Sequence, residues 1–89
     1  MAYMALTIRI MPTGVDVDLN KILEELKGKL KVYSSEVQPI AFGLKALNVT
    51  IIAIEDESQD AILETIKNID GVESAEVVQA TRTMDVNFG

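Results

Sequence analysis

The chain has 89 residues and contains no cysteine and no histidine. Without cysteine, disulfide bonds, thiolate metal sites and thiol nucleophiles are excluded. Without histidine, the chain lacks the commonest metal ligand and the usual acid–base group at neutral pH. Much catalytic chemistry is therefore removed. No apolar run approaches the roughly 18 residues of a membrane span, and no apolar stretch follows a basic start, so we expect a cytoplasmic protein with no membrane association.

Charge is plentiful but unevenly distributed. The formal net charge is −6 and the pI is near 4.4. Residues 1–45 hold six basic and five acidic side chains, whereas residues 46–89 hold two and nine. An acidic chain repels phosphate backbones, so direct nucleic-acid binding is not expected. A basic protein surface is the more natural partner.

The hydrophobic pattern changes period along the chain, and 48% apolar content supports one folded domain over residues 1–89. Alternation predicts strands, and apolar residues three and four apart predict helices. Asp18 and Ser58 are candidate N-caps. Gly28 is expected to weaken the last turn of the first helix and is a candidate for its end, while Gly71 is expected to end the second helix. The predicted elements are a strand at Met4–Ile10, a helix from Leu19 to about Gly28, strands at Lys31–Gln38 and Ala46–Ile54, a helix from Ser58 to Asp70, and a strand at Val72–Thr83.

This order predicts an α+β fold, the ferredoxin-like βαββαβ sandwich, with a four-stranded antiparallel sheet and two helices on one face. The first and third strands are the most apolar and should be central. The second is more polar and closes at Pro39, which suits an edge. Residues 85–89 are expected to form a flexible tail.

The segment from Gln38 to Leu47 contains the most distinctive local pattern. Pro39 fixes one backbone dihedral and Gly43 frees another, so that a turn can carry Phe42 outward. An exposed aromatic on a stiff turn could anchor a partner. Alternatively, Phe42 folds back over the sheet edge, and spacing alone favours this interpretation because large apolar residues are usually core.

At this segment the sequence resembles the signature of the translation elongation factor 1-beta family, particularly its archaeal form. The similarity extends from about Ala2 to Met84. The segments that carry it are Pro39–Leu47 (PIAFGLKAL), which is the most specific, Ile8–Pro12 (IRIMP), Val15–Leu19 (VDVDL) and Gly71–Val77 (GVESAEV).

The resemblance implies a guanine-nucleotide exchange factor for elongation factor 1-alpha, the GTPase that carries aminoacyl-tRNA. Such a protein makes and breaks no covalent bond, so it is not an enzyme in that sense, and it needs no cofactor or metal of its own. The resemblance also implies the ferredoxin-like fold and assigns contact with the GTPase to the aromatic turn, here Phe42 and Gly43. A basic residue near the C-terminus reaches the Mg²⁺ site of the nucleotide, and the matching position is Arg82.

Two departures from the family pattern concern Arg82. Eukaryotic relatives have lysine there, whereas arginine has a planar, weakly hydrated guanidinium group. Their chain also ends almost immediately afterwards, whereas here residues 83–89 follow and must swing aside when Arg82 enters a pocket. From the residues alone, Arg82 is equally an ordinary surface arginine paired with a glutamate.

Other charged residues have weaker signals. Lys45 follows the aromatic turn and is either a contact to acidic groups of the GTPase or a solvated lysine that blocks edge pairing; Arg9 is a similar but weaker candidate. The acidic run Glu55–Glu57 with Asp60 lacks the spacing of a calcium loop and is interpreted as a solvated turn. No phosphate-binding glycine loop occurs, so the chain is not expected to bind GTP itself.

Two other function classes suit the same fold. A small-metabolite-binding regulatory domain would self-associate and hold its ligand at the interface, but it would leave the Phe42–Gly43 turn without a task. An RNA-recognition module needs stacking aromatics and basic strands on the open sheet face. Two tyrosines, two phenylalanines and a charge of −6 argue against it.

Overall fold

The computed structural model describes residues 3–54 and 57–83. Within these ranges the chain forms four strands and two helices in the predicted order. The elements are β1 (Tyr3–Pro12), α1 (Leu19–Lys29), β2 (Val32–Pro39), β3 (Lys45–Ile54), α2 (Gln59–Lys67) and β4 (Val72–Thr83). The strands form one sheet in the order β2-β3-β1-β4, with every neighbouring pair antiparallel. This confirms the ferredoxin-like α+β fold, the central positions of β1 and β3 and the edge position of β2.

The core lies between the helices and one face of the sheet. Alternate residues of β1 and β3 point into it because side chains alternate across a strand. Ile22 and Leu26 of α1 and Ile62 and Ile66 of α2 complete the same buried cluster, so both helices cover one face. The strand residues of the cluster are Leu6, Ile8, Ile10, Leu47, Val49, Ile51, Ala53 and Ala75.

Both predicted N-caps are confirmed. The Asp18 carboxylate accepts a hydrogen bond from the backbone N–H of Asn20 at 3.0 Å, and the Ser58 hydroxyl accepts one from that of Ala61 at 3.3 Å. Each bond satisfies an amide that the first helical turn leaves without a partner. In α2, Ala61 is exposed, and Leu63 packs against the core.

The end of α1 lies one residue after Gly28, close to the prediction, whereas the predicted end of α2 at Gly71 is wrong. Helix α1 continues past Gly28 to Lys29, and the backbone N–H of Leu30 caps it on the Leu26 carbonyl at 2.7 Å. Nothing lies within 4 Å of a Cβ built on Gly28, which is exposed, so its presence weakens the helix without ending it. Helix α2 ends at Lys67 with Asn68 as its cap, so Gly71 belongs to the turn that enters β4.

Glycine is required at position 71 by the local backbone conformation and by the close approach of a neighbouring side chain. Its φ of +93° lies in the left-handed region, and a Cβ built there meets Val17 Cγ1 at 3.0 Å. We expect Gly71→Ala to lower the free energy of unfolding by about 1–3 kcal/mol, measured by urea denaturation. Gly28→Ala is the matched control and should stabilise the protein by up to about 1 kcal/mol, because that position is helical and open. Equal effects of the two changes would contradict this account of Gly71.

The open face of the sheet carries polar side chains. Arg9 of β1 lies opposite Asn48 on one side and Glu76 on the other. The side-chain amide of Asn48 donates to Gln38 at 2.8 Å. Arg9 Nε and Asn48 Oδ1 are buried without a hydrogen-bond partner. The regular alternation predicted for β4 is interrupted, because the register with β1 shifts between Thr7 and Ile8.

Some expectations fall partly or wholly outside the described residues. Glu55 and Asp56 of the acidic run and the tail at residues 85–89 do so, while Glu57 accepts a 3.5 Å hydrogen bond from the backbone N–H of Ile54. Within residues 3–54 and 57–83, no helix is long and apolar enough to cross a membrane.

Candidate functional site

The connection between β2 and β3 is a tight turn with an unusual backbone. The N–H of Leu44 donates to the carbonyl of Ala41, and the N–H of Ile40 donates to the carbonyl of Leu44, both at 2.9 Å. The two central residues, Phe42 and Gly43, have φ values of +53° and +79°. Positive φ at both positions is typical of the type I′ turn that fits the twist of a β-hairpin. This aromatic turn, residues 41–44, is therefore held by backbone bonds on both sides.

Phe42 occupies a position that normally favours glycine or asparagine. Among the described residues it is the only non-glycine with positive φ, and left-handed backbone costs such a residue about 1–2 kcal/mol. Its side chain is 98% exposed. The interpretation that Phe42 folds back over the sheet edge, which spacing favoured, is wrong. Spacing failed here because it indicates which residues are apolar but not which of them a turn directs into water.

A strained backbone and a fully exposed ring are both unfavourable for folding. Burial of a phenylalanine contributes about 1.5–3 kcal/mol when it occurs, and here it does not occur. Asparagine or glycine at the same position would give the same turn with less strain. An outlier of this kind supports a role outside folding.

Lys45 follows the aromatic turn as the first residue of β3 and pairs with Pro39. It is exposed and lines a groove of about 290 Å³, to which Gly43 also contributes. The opposite wall of the groove comes from the β1–α1 loop and the first turn of α1. Lys45 thus lies at the same end of the sheet as the aromatic turn.

Arg82 lies far from this group. In β4 it is the register partner of Met4, at the end of the sheet where β1 begins. The aromatic turn lies beyond the other end, past Pro12. Strand β1 rises about 3.3 Å per residue, so Met4 and Pro12 are roughly 26 Å apart. The structure therefore brings Phe42, Gly43 and Lys45 together and separates them from exposed Arg82.

Three apolar side chains near the aromatic turn were not singled out from the sequence. Val15 in the β1–α1 loop is 66% exposed, and Val37 and Ile40 are 45% and 46% exposed. The exposure of Val15 is indicated by its sequence context: it lies between Gly14 and Asp16 in a segment of turn residues, where an apolar side chain has little to pack against. Nothing in the sequence indicates the exposure of Val37, because its place in an alternating strand predicts a core residue.

Acidic residues do not assemble a metal site in the described part of the chain. No group of three or more Asp or Glu side chains there is arranged to hold a metal ion. The Asp18 carboxylate is engaged as the cap of α1.

Comparison with known proteins shows the family of the chain. Residues 5–83 match the model of the family described as "EF-1 guanine nucleotide exchange domain". Similar proteins named elongation factor 1-beta come from Archaeoglobus fulgidus, at 42% identity over 86% of this chain and 93% of that protein, and from Nanoarchaeum equitans, at 40% identity over 84% and 99%. A third, from Methanosphaerula palustris, is 35% identical over 93% of this chain and 100% of its own length. The chain belongs to the EF-1 guanine nucleotide exchange domain family.

Proposed function

We propose that this chain, as a single domain, promotes the exchange of GDP for GTP on translation elongation factor 1-alpha in the cytoplasm. It does so by docking the aromatic turn on the GTPase and by perturbing the Mg²⁺ site of the bound nucleotide. Exchange of this kind needs contact between proteins and no covalent step, so the chain requires no nucleophile, cofactor or metal of its own. Family membership supports the exchange activity.

The observation that carries the docking role is the conformation of Phe42. The ring is 98% exposed on a backbone of positive φ. Docking in an apolar pocket would remove the ring from water, and aromatic side chains are the most frequent anchors of protein interfaces. The backbone hydrogen bonds of the aromatic turn fix the backbone that carries the ring before binding, which lowers the entropy lost on association.

The second role belongs to Arg82. A guanidinium held close to Mg²⁺ repels the ion and competes for the carboxylate and phosphate oxygens that ligate it. Loss of Mg²⁺ leaves the phosphate charges without a counterion, and the nucleotide dissociates faster. Arg82 suits this role because it is exposed on an otherwise acidic half of the chain.

The distance between the two residues constrains the complex. Phe42 and Arg82 lie at opposite ends of the sheet, separated by more than the roughly 26 Å between Met4 and Pro12. One GTPase that meets both must therefore contact the domain along its length. In that arrangement the aromatic turn provides affinity at one end while Arg82 acts on the nucleotide at the other.

The function is tested by the release of a fluorescent GDP analogue from elongation factor 1-alpha of the same organism. We expect the release rate to rise with the concentration of this chain and to saturate, as it does for a catalyst that acts through a complex. A GTPase from another family, loaded with the same analogue, is the control and should not respond. An unchanged rate at micromolar concentrations of the chain would contradict the proposal.

A further inference from the structure

We infer that Val15 is a second apolar anchor for elongation factor 1-alpha, so that the GTPase docks on a face built from two separate loops. We call this surface the turn–loop face and define it by Val15, Val37, Ile40 and Phe42. The inference rests on the proposed function and extends it, because neither the family match nor the aromatic turn assigns a contact to the β1–α1 loop.

The turn–loop face concentrates exposed apolar side chains at one end of the molecule. Its four members are between 45% and 98% exposed. They come from distant parts of the sequence, but β1 and β2 end, and β3 begins, at this same end of the sheet. The other large exposed apolar residues of the described chain, Tyr33, Ile54 and Val78, lie elsewhere on the strands. Contiguous exposed apolar surface marks interaction sites, whereas scattered residues need no explanation.

The β1–α1 loop lies next to the aromatic turn. Val15 Cγ1 lies 3.8 Å from the position that a Cβ on Gly43 would occupy, which is an ordinary contact distance between apolar groups. The groove of about 290 Å³ between them is lined by both Val15 and Val37. A partner that covers Phe42 therefore meets Val15 on the same surface.

The loop is also held in place before any partner arrives. The N–H of Val17 donates to the carbonyl of Gly14 at 3.4 Å, which places Val15 within a closed turn. The N–H of Thr13 donates to the carbonyl of Gly71 at 2.9 Å and ties the loop to the start of β4. Val17 packs partly into the core. Val15 is thus the apolar residue that this loop presents to solvent, and preorganisation favours its use in binding.

The occupant is identified by continuity with Phe42. Val15 lies next to Gly43, the residue that follows Phe42, and both Val15 and Gly43 line the same groove, so a GTPase surface that receives the ring also reaches Val15. A second copy of the chain is the other possible occupant. It would make the exposed Val15 inaccessible without the GTPase and would appear as a dimer in analytical ultracentrifugation.

The absence of cysteine in the chain permits a direct test. Val15→Cys introduces a single thiol, and its alkylation is followed by the mass of this chain, with and without saturating elongation factor 1-alpha. We expect the GTPase to slow alkylation by about tenfold or more, as for a residue within a desolvated interface. Glu24→Cys, on the exposed side of α1, is the matched control and should react at nearly the same rate in both cases.

The outcomes separate the two proposals. If the wild-type chain accelerates GDP release but Val15→Cys reacts equally fast in the complex, the inference is wrong and the proposed function stands. Equal slowing at Val15 and Glu24, or a dimer that shields Val15 without the GTPase, also overturns the inference. If the wild-type chain neither binds the GTPase nor accelerates release, both proposals fail.

Exchange kinetics provide an independent measurement. Val15→Ser should raise the concentration of the chain at half-maximal exchange by about tenfold or more, the effect of losing one buried valine side chain, and leave the maximal rate unchanged. Val78→Ser, on β4, is the matched control and should change neither quantity. A reduced maximal rate with unchanged half-saturation would show that Val15 does not act as an anchor.

Discussion

Phe42→Ala is expected to raise the concentration of the chain at half-maximal exchange by about 30-fold or more, because aromatic anchors of interfaces contribute at least about 2 kcal/mol. The measurement is release of a fluorescent GDP analogue from elongation factor 1-alpha. The ring makes no contribution to the core, since it is 98% exposed. We therefore expect the free energy of unfolding to change by less than about 0.5 kcal/mol.

Two further variants separate the effect of the ring from that of backbone strain and from that of any exposed aromatic side chain. Phe42→Gly removes the ring and also the strain of φ +53°, so it should stabilise the protein by up to about 1 kcal/mol while the concentration at half-maximal exchange rises as it does for Phe42→Ala. Tyr33→Ala removes another exposed aromatic side chain, from β2, and should leave exchange unchanged. A Phe42→Ala protein that unfolds at much lower urea, or that exchanges as well as Tyr33→Ala, would show that Phe42 is not a docking residue.

Periodicity predicted the fold well where one face of an element is buried. In β1 and β3 every second residue is apolar, and the structure buries that set, for example Leu6 and Val49. The polar, proline-terminated β2 was correctly expected at the edge. The same reasoning failed at the end of α2, because glycine is compatible with several roles. Gly28 lies within α1, and Gly71 shapes the turn before β4.

The candidate site was harder to predict because a sequence lists residue types and not their exposure. The Phe42–Gly43 pair indicated a turn, but Phe42 itself adopts the left-handed backbone that only Gly43 was expected to supply. Resemblance to a family identified Phe42 and Arg82 without their arrangement. The predicted order of the strands already implies that arrangement, because in an antiparallel sheet of this order the β2–β3 turn and the end of β4 lie at opposite ends.

This separation gives the two residues different effects on the kinetics. A residue that only docks contributes equally to the ground state and the transition state of release, so its loss changes half-saturation. A residue that acts on the nucleotide site contributes only when Mg²⁺ is displaced, so its loss changes the maximal rate. We assign Phe42 to the first kind and Arg82 to the second.

Arg82→Ala is accordingly expected to lower the maximal rate of GDP release by about tenfold or more, the effect of removing a cation that opposes Mg²⁺ at short range. The concentration at half-maximal exchange should change little, because the turn–loop face remains intact at the other end of the domain. Arg82→Lys keeps the positive charge and should retain most of the rate. The same stopped-flow assay of GDP release measures all three proteins.

Chelation of Mg²⁺ provides the decisive control for Arg82. In excess EDTA the metal is already gone, so a residue that acts by displacing it has nothing left to do. The wild-type and Arg82→Ala proteins should then support the same release rate, whereas the defect in binding of Phe42→Ala should persist. If Arg82→Ala instead shifts half-saturation at an unchanged maximal rate, and does so equally in EDTA, then Arg82 is a docking contact, and the chain acts on the nucleotide through the GTPase conformation rather than through a cation at the metal site.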